Sequence, residues 1–188
     1  MVRSKNQRTS IRVFGSIKVL VACSLFVAMS IVLGKFLSVK IGDNIRISFE
    51  NLSLLLSGIL FGPLIGMLTA VVADVVGCFL YGYAINPIIT LGAACIGFFA
   101  GAISCTLFKR NRILNVTVSV FVAHIIGSMI VKTIGLYIYY PNQRPVLPWR
   151  IPIYLITATV ESALIFGLMK SRIFLREFEK FRKKHDKD

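Results

Sequence analysis

A chain of 188 residues that is 56% apolar, with a mean hydropathy of +0.77, is expected to be an integral membrane protein of one compact domain, residues 1–188. A span takes about 20 apolar residues, so about six spans would use most of the length and leave nothing for a soluble catalytic domain. The net charge of +14 would suggest nucleic acid in a soluble protein; in a membrane protein it first sets orientation, and no nucleic-acid partner is expected.

Residues 1–12 form a basic tail carrying Arg3, Lys5, Arg8 and Arg12. The apolar run over 13–37 is longer than a signal-peptide core, and no small-x-small cleavage site follows it. It is expected as a retained first span. Ser24 and Ala28 place small side chains on one face of it, a spacing that permits close helix–helix approach within the bundle or to a partner. From Val39 to Phe49 the period changes, with Ile and Val alternating with polar residues around Gly42-Asp43-Asn44. That pattern predicts a short β-hairpin or extended flap at the membrane surface, because open strand edges do not occur in lipid.

A second, short helix is expected over 49–61 and a third over 64–81, folded back to back at Gly62-Pro63, where proline removes a donor and disfavours helix before it. The remaining helices are expected to pack around this hairpin. The fourth helix is expected over 88–108, a basic loop at Lys109-Arg110-Asn111-Arg112, and the fifth helix over 113–139. Four prolines between Tyr140 and Pro152 predict an ordered but irregular loop, followed by the sixth helix over 153–169. In the basic tail over 170–188, Phe174, Phe178 and Phe181 recur at helical spacing, which predicts an amphipathic interfacial helix in contact with membrane lipid.

With the amino terminus inside, 16 of the 22 cations fall on the cytoplasmic side and five on the other, with Lys132 inside a span. The expected fold class is therefore an all-α membrane protein of six transmembrane helices in one bundle, both termini cytoplasmic, with a β-like flap between helices 1 and 2. Much of the positive charge then faces anionic headgroups.

Polar groups at membrane depth are costly and tend to mark function. Here they are Asp74, His124, Lys132 and Glu161, joined toward the outer side by Asn86, Arg46, Arg144, Arg150, Trp149 and several tyrosines. Each has a purely structural reading. Tyr139 and Tyr140 suit an aromatic belt, Arg144 and Arg150 can snorkel to headgroups, Asp74 can pair with His124 or Lys132, and His124 suits a satisfied core histidine. Lys132 and Glu161 resist that reading and are expected to face the bundle interior. A cavity with cations at its mouth, aromatic walls and a buried carboxylate suits an anionic aromatic solute, with Glu161 or Asp74 accepting from ring amino groups. Cys23, Cys78, Cys95 and Cys105 lie in apolar runs without CxxC spacing and read as small buried residues, so neither a metal nor a cofactor is indicated. There is no GxxxxGK[ST] phosphate loop and no length for two equivalent transporter halves.

The ordered segments Ser30-Ile-Val-Leu-Gly-Lys-Phe36, Arg46-Ile-Ser-Phe49, Gly58-Ile-Leu-Phe-Gly-Pro63 with Gly66, Ala73-Asp-Val-Val-Gly77, and Asn86-Pro-Ile-Ile-Thr-Leu-Gly-Ala93 with Gly97 resemble the S components of energy-coupling-factor (ECF) vitamin transporters, folate family. The likeness covers about the first half of the chain in motifs and the second half in plan. Family members often carry Pro-Gly with Phe-Thr-Leu-Thr where this chain reads Asn86-Pro87-Ile-Ile-Thr-Leu-Gly92. The resemblance implies a substrate-binding subunit, not an enzyme, with an outward site covered by the 39–48 flap. It also implies a transmembrane coupling protein (T component) and two ATPase subunits as partners, with small residues of the first helix, here Ser24 and Ala28, touching the coupling protein. The residues expected to hold folate are Arg46, Phe49, Asn86, Lys132, Tyr137, Arg144, Trp149 and Glu161. The alternatives are another small metabolite (pantothenate, pyridoxine or a queuosine precursor), a membrane-embedded enzyme using Asp74, His124 and Glu161, and a stand-alone facilitator.

Overall fold

A computed structural model of the chain describes residues 17–41, 45–106 and 111–171. The basic tail expected over 1–12, the flap tip at 42–44, residues 109–110 of the basic loop and residues 172–188 of the amphipathic tail lie outside the described residues.

Helix α1 (Ile17–Phe36) leads into two three-residue strands, β1 (Val39–Ile41) and β2 (Ile45–Ile47). They pair antiparallel, Val39 opposite Ile47, Lys40 opposite Arg46 and Ile41 opposite Ile45. Then come α2 (Glu50–Phe61), α3 (Pro63–Tyr81), α4 (Pro87–Thr106) and α5 (Arg112–Ala123). The last continues through a π-helical segment (His124–Val131) into α6 (Lys132–Tyr139). A 3-10 helix (Pro141–Trp149) precedes α7 (Arg150–Lys170).

The turn between α2 and α3 is a single residue. Gly62 takes φ 92°, a left-handed value that glycine adopts without a Cβ clash. Its N–H closes α2 on Gly58 O at 2.9 Å, and its carbonyl accepts from Gly66 N–H at 3.0 Å to open α3. Pro63 takes the first position of α3, where its missing N–H costs nothing.

At the far end, α7 begins three residues before the expected Ile153. Pro152 sits at its third position, where an N–H would have no intrahelical acceptor anyway. The proline-rich segment expected as irregular is wound into 3-10 turns, beginning with Gln143 N–H to Tyr140 O at 2.9 Å.

Among the described residues, five segments are long and apolar enough to cross a membrane: Val19–Phe36, Pro63–Tyr81, Pro87–Thr106, Ile113–Tyr139 and Pro141–Lys170. Helix α2 has 12 residues, about 18 Å at 1.5 Å per residue. It is sheathed instead: Asn51 and every residue from Ser53 to Ile59 are buried, the condition of a helix apolar all round.

The core joins Leu54, Leu55, Leu56 and Ile59 of α2 to Ala70 and Ala73 of α3, Ala93, Ile96 and Ala100 of α4, Val120 and Ala123 of α5, and Ala158 and Ile165 of α7. Its centre is α4, which packs on α2, α3, α5, the π-helical segment and α6, so the α2–α3 hairpin shares the organising role. Leu20, Val21, Leu25, Val32 and Phe36 of α1 remain exposed, an apolar face suited to lipid.

Candidate functional site

The starts of α2, α4 and α7 and the ends of α3 and α6 meet at one end of the bundle. Between them lies a cavity of about 440 Å³, in the size range of small-ligand sites. Every α-helix but α5 contributes to its wall: Ser30 and Ile31 from α1, Glu50 and Leu54 from α2, Asp74 and Tyr81 from α3, Ile89 and Ala93 from α4, Lys132 and Leu136 from α6, and Arg150 and Tyr154 from α7. Ser48, Tyr83, Asn86, Tyr140 and Gln143 close it from the connecting segments.

Two of the expected site residues stand in this wall. Asn86 is buried, and its Oδ1 accepts from the N–H groups of Ile88 at 3.0 Å and Ile89 at 3.4 Å, capping α4. Lys132 is 7% exposed, with its Nζ 3.8 Å from Glu50 Oε1. Its aliphatic stem crosses α4 at Gly92, where a Cβ would lie 2.5 Å from Lys132 Cγ. Glycine at 92 is what lets the lysine reach the cavity.

The others lie elsewhere. Arg46 belongs to β2, opposite Lys40. Phe49 precedes α2 as its N-cap residue, next to the lining Ser48 and Glu50. Tyr137, Arg144 and Trp149 are outside the lining. Tyr137 and Trp149 are exposed, and Arg144 stacks 4.5 Å over the Tyr137 ring while its Nε donates to Tyr137 O at 3.1 Å. Glu161 is fully buried but faces α5 and the π-helical segment: its Oε2 is 2.5 Å from His124 Nε2. His124, also fully buried, has Nδ1 3.1 Å from Ser128 Oγ, so both ring nitrogens are engaged. Ser24 and Ala28 lie on the exposed face of α1.

Asp74 and Arg150 take partners other than those the sequence suggests, Glu50 joins the wall unexpected, and Tyr81 lines it as an aromatic of the outward set. Asp74 accepts from Thr90 Oγ1 at 2.6 Å rather than pairing with His124 or Lys132. Arg150 turns inward rather than to headgroups: its Nη2 donates to Tyr154 Oη at 3.0 Å and its Nε to Thr133 Oγ1 at 3.3 Å. Glu50 opens α2, and the one signal for it was an acid standing at the edge of a long uncharged run. Tyr81 lines the wall while its hydroxyl donates to Ile31 O at 2.6 Å. The cavity therefore offers two carboxylates, two cations and several phenols around an apolar floor. Among the described residues, no carboxylate pairs with Arg150.

A family model described as "ECF-type riboflavin transporter, S component" matches residues 14–174. The chain belongs to that family. It is an ECF S component and a multi-pass protein of the bacterial cell membrane. A curated relative, the folate transporter FolT of Clostridium novyi (strain NT), is 27% identical over 156 residues, covering 81% of this chain and 83% of the relative. Two solved structures share the S component's fold. One, a crystal structure of FolT bound with folic acid, has a TM-score of 0.63 at 23% identity, covering 85% of this chain and 98% of that one. The other, described as the structure and mechanism of the S component of a bacterial ECF transporter, has a TM-score of 0.57 at 21% identity, covering 88% and 98%.

Proposed function

We propose that the cavity binds folate and that this S component delivers it inward with a transmembrane coupling subunit and two ATPase subunits. The observation that carries the choice of substrate is Arg150: a cavity-lining cation tied to Tyr154 and Thr133 with no described carboxylate beside it. A half-buried cation in a cavity wall calls for an anion, and folate brings carboxylates. Riboflavin, the vitamin in the family's description, brings none. The curated relative and the folic-acid-bound neighbour support the same choice.

In this reading Lys132 and Arg150 hold the carboxylate end, and Asp74 and Glu50 accept from the amino and ring N–H groups of the pterin. Asn86 shapes the wall, and Tyr81, Tyr83, Tyr140 and Tyr154 supply apolar faces. The starts of α2, α4 and α7 turn the positive ends of their dipoles toward the same space, which favours an anionic ligand. Tyr137, Arg144 and Trp149 form the rim where solute enters, and β1 and β2 with Arg46 and Phe49 form the flap over it. The chain is one domain of six membrane helices with both termini cytoplasmic, as the distribution of cations supports. Ser24 and Ala28, exposed on α1, meet the coupling subunit.

Folate binding to purified protein, read by isothermal calorimetry, tests the assignment. Arg150→Ala or Lys132→Ala is expected to weaken it by about 2–5 kcal/mol, the range for truncating one partner of a buried charge pair. Affinity unchanged by both substitutions would remove the cavity from consideration.

A further inference from the structure

His124 and Glu161 are fully buried, yet neither lines the cavity. A buried pair of this kind is weak evidence for stability, since an apolar pair of similar volume often does as well. The contacts beyond it supply a role. The His124 ring lies 5.7 Å from the ring of Tyr154, tilted by 33°. Tyr154 lines the cavity, and its hydroxyl accepts from Arg150 Nη2. On the other side, His124 Nδ1 meets Ser128 Oγ, and the carbonyl of Ser128 accepts from Thr133 Oγ1 at 3.3 Å. Thr133 Oγ1 in turn accepts from Arg150 Nε. Two routes, one through α7 and one through the π-helical segment, thus run from a single imidazole to two nitrogens of one guanidinium.

We propose that His124, held at its ring nitrogens by Glu161 and Ser128, is a positioning residue that sets the orientation of Arg150 in the cavity and so determines affinity for the anionic part of the ligand. The inference rests on the cavity being the folate site. A guanidinium binds a carboxylate best as a planar fork already aimed at it, and a fork whose supports are locked loses less freedom on binding. Glu161 stands seven residues, two helical turns, after Tyr154, so the carboxylate that holds the imidazole and the phenol it steadies share one face of α7.

The test compares folate with the bare pterin ring, which lacks the carboxylates, on the full-length protein in detergent. The variant H124L/E161L replaces the buried pair by apolar groups and leaves no lone carboxylate behind. It is expected to bind folate about tenfold more weakly while its pterin affinity stays within about twofold, a split that general loosening of the bundle would not produce. His124→Asn, which keeps hydrogen-bonding groups but loses the ring against Tyr154, is expected to show the same split and serves if the double variant does not fold. Glu161→Gln keeps an acceptor for His124 and is expected to retain wild-type affinity for both ligands. Equal weakening of folate and pterin, or folate affinity unchanged in the His124 variants, overturns the positioning role while wild-type binding stands. Absence of folate binding in the wild type overturns the folate reading and this inference together.

Discussion

Asn86 serves the fold and the cavity with one side chain. Its Oδ1 takes the N–H groups of Ile88 and Ile89, and Pro87 occupies the first helical position, so α4 starts at a fixed point of the wall. Asn86→Ala is expected to cost about 1 kcal/mol of stability, while Asn86→Asp keeps an acceptor and most of that stability. Melting of the ligand-free protein checks both, and an unchanged midpoint for Asn86→Ala would show that the cap contributes nothing. Asn86 and Lys132 were legible as cavity-lining residues, Lys132 because an ammonium at membrane depth needs a reason to be there and Asn86 because it stands at the outer end of its helix. The sequence leaves Arg150 between two readings. An arginine next to a predicted helix end snorkels as readily as it turns inward, and only the neighbouring Thr133 and Tyr154 decide between the two. Glu161 was legible as buried, but which of its neighbours it faces depends on how α7 is rotated against α5. One helix's sequence does not contain that angle.

At the scale of elements, α2, α3 and α4 touch backbone to backbone. A Cβ at Gly97 would collide with the carbonyl of Gly66, and a Cβ at Gly66 would lie 2.5 Å from Gly58 Cα. These neighbours are main chain and cannot swing aside. Gly97→Leu is therefore expected to destabilise the bundle by about 3 kcal/mol or more, the upper range for overpacking a core. Thermal melting and monodisperse yield in detergent read this out, and a wild-type melting midpoint would mean the three helices are not in contact there.

The helix limits were legible to within three residues wherever apolar length ended at glycine or proline, as at Gly62-Pro63 and Asn86-Pro87. Two features were not. The early start of α7 depends on Pro152 falling within the first turn, and the π-helical stretch His124–Val131 has no pattern of its own. That stretch packs against α4, where a Cβ at Gly127 would strike Ile96 and would lie 2.7 Å from Gly92 O. Its backbone thus follows a partner helix distant in sequence.

Across the whole molecule, apolar side chains fill the core and also cover the outer face of the bundle, while polar ones such as His124 and Glu161 are buried within it or gather at the cavity end. A soluble protein would not cover its outer face this way. The family description names riboflavin, whereas the curated relative and one structural neighbour are folate proteins. The two vitamins differ in the feature that the cavity answers with Arg150, since folate carries carboxylates and riboflavin does not.

The most direct test is the melting temperature of the purified protein with each vitamin at 100 to 1,000 times a tight-binding Kd, where an occupied site adds about 3–4 kcal/mol. Folate is expected to raise it and riboflavin to leave it unchanged. A rise with riboflavin and none with folate would contradict the assignment of Arg150 as an anion-binding residue and move this S component to the vitamin its family is described by.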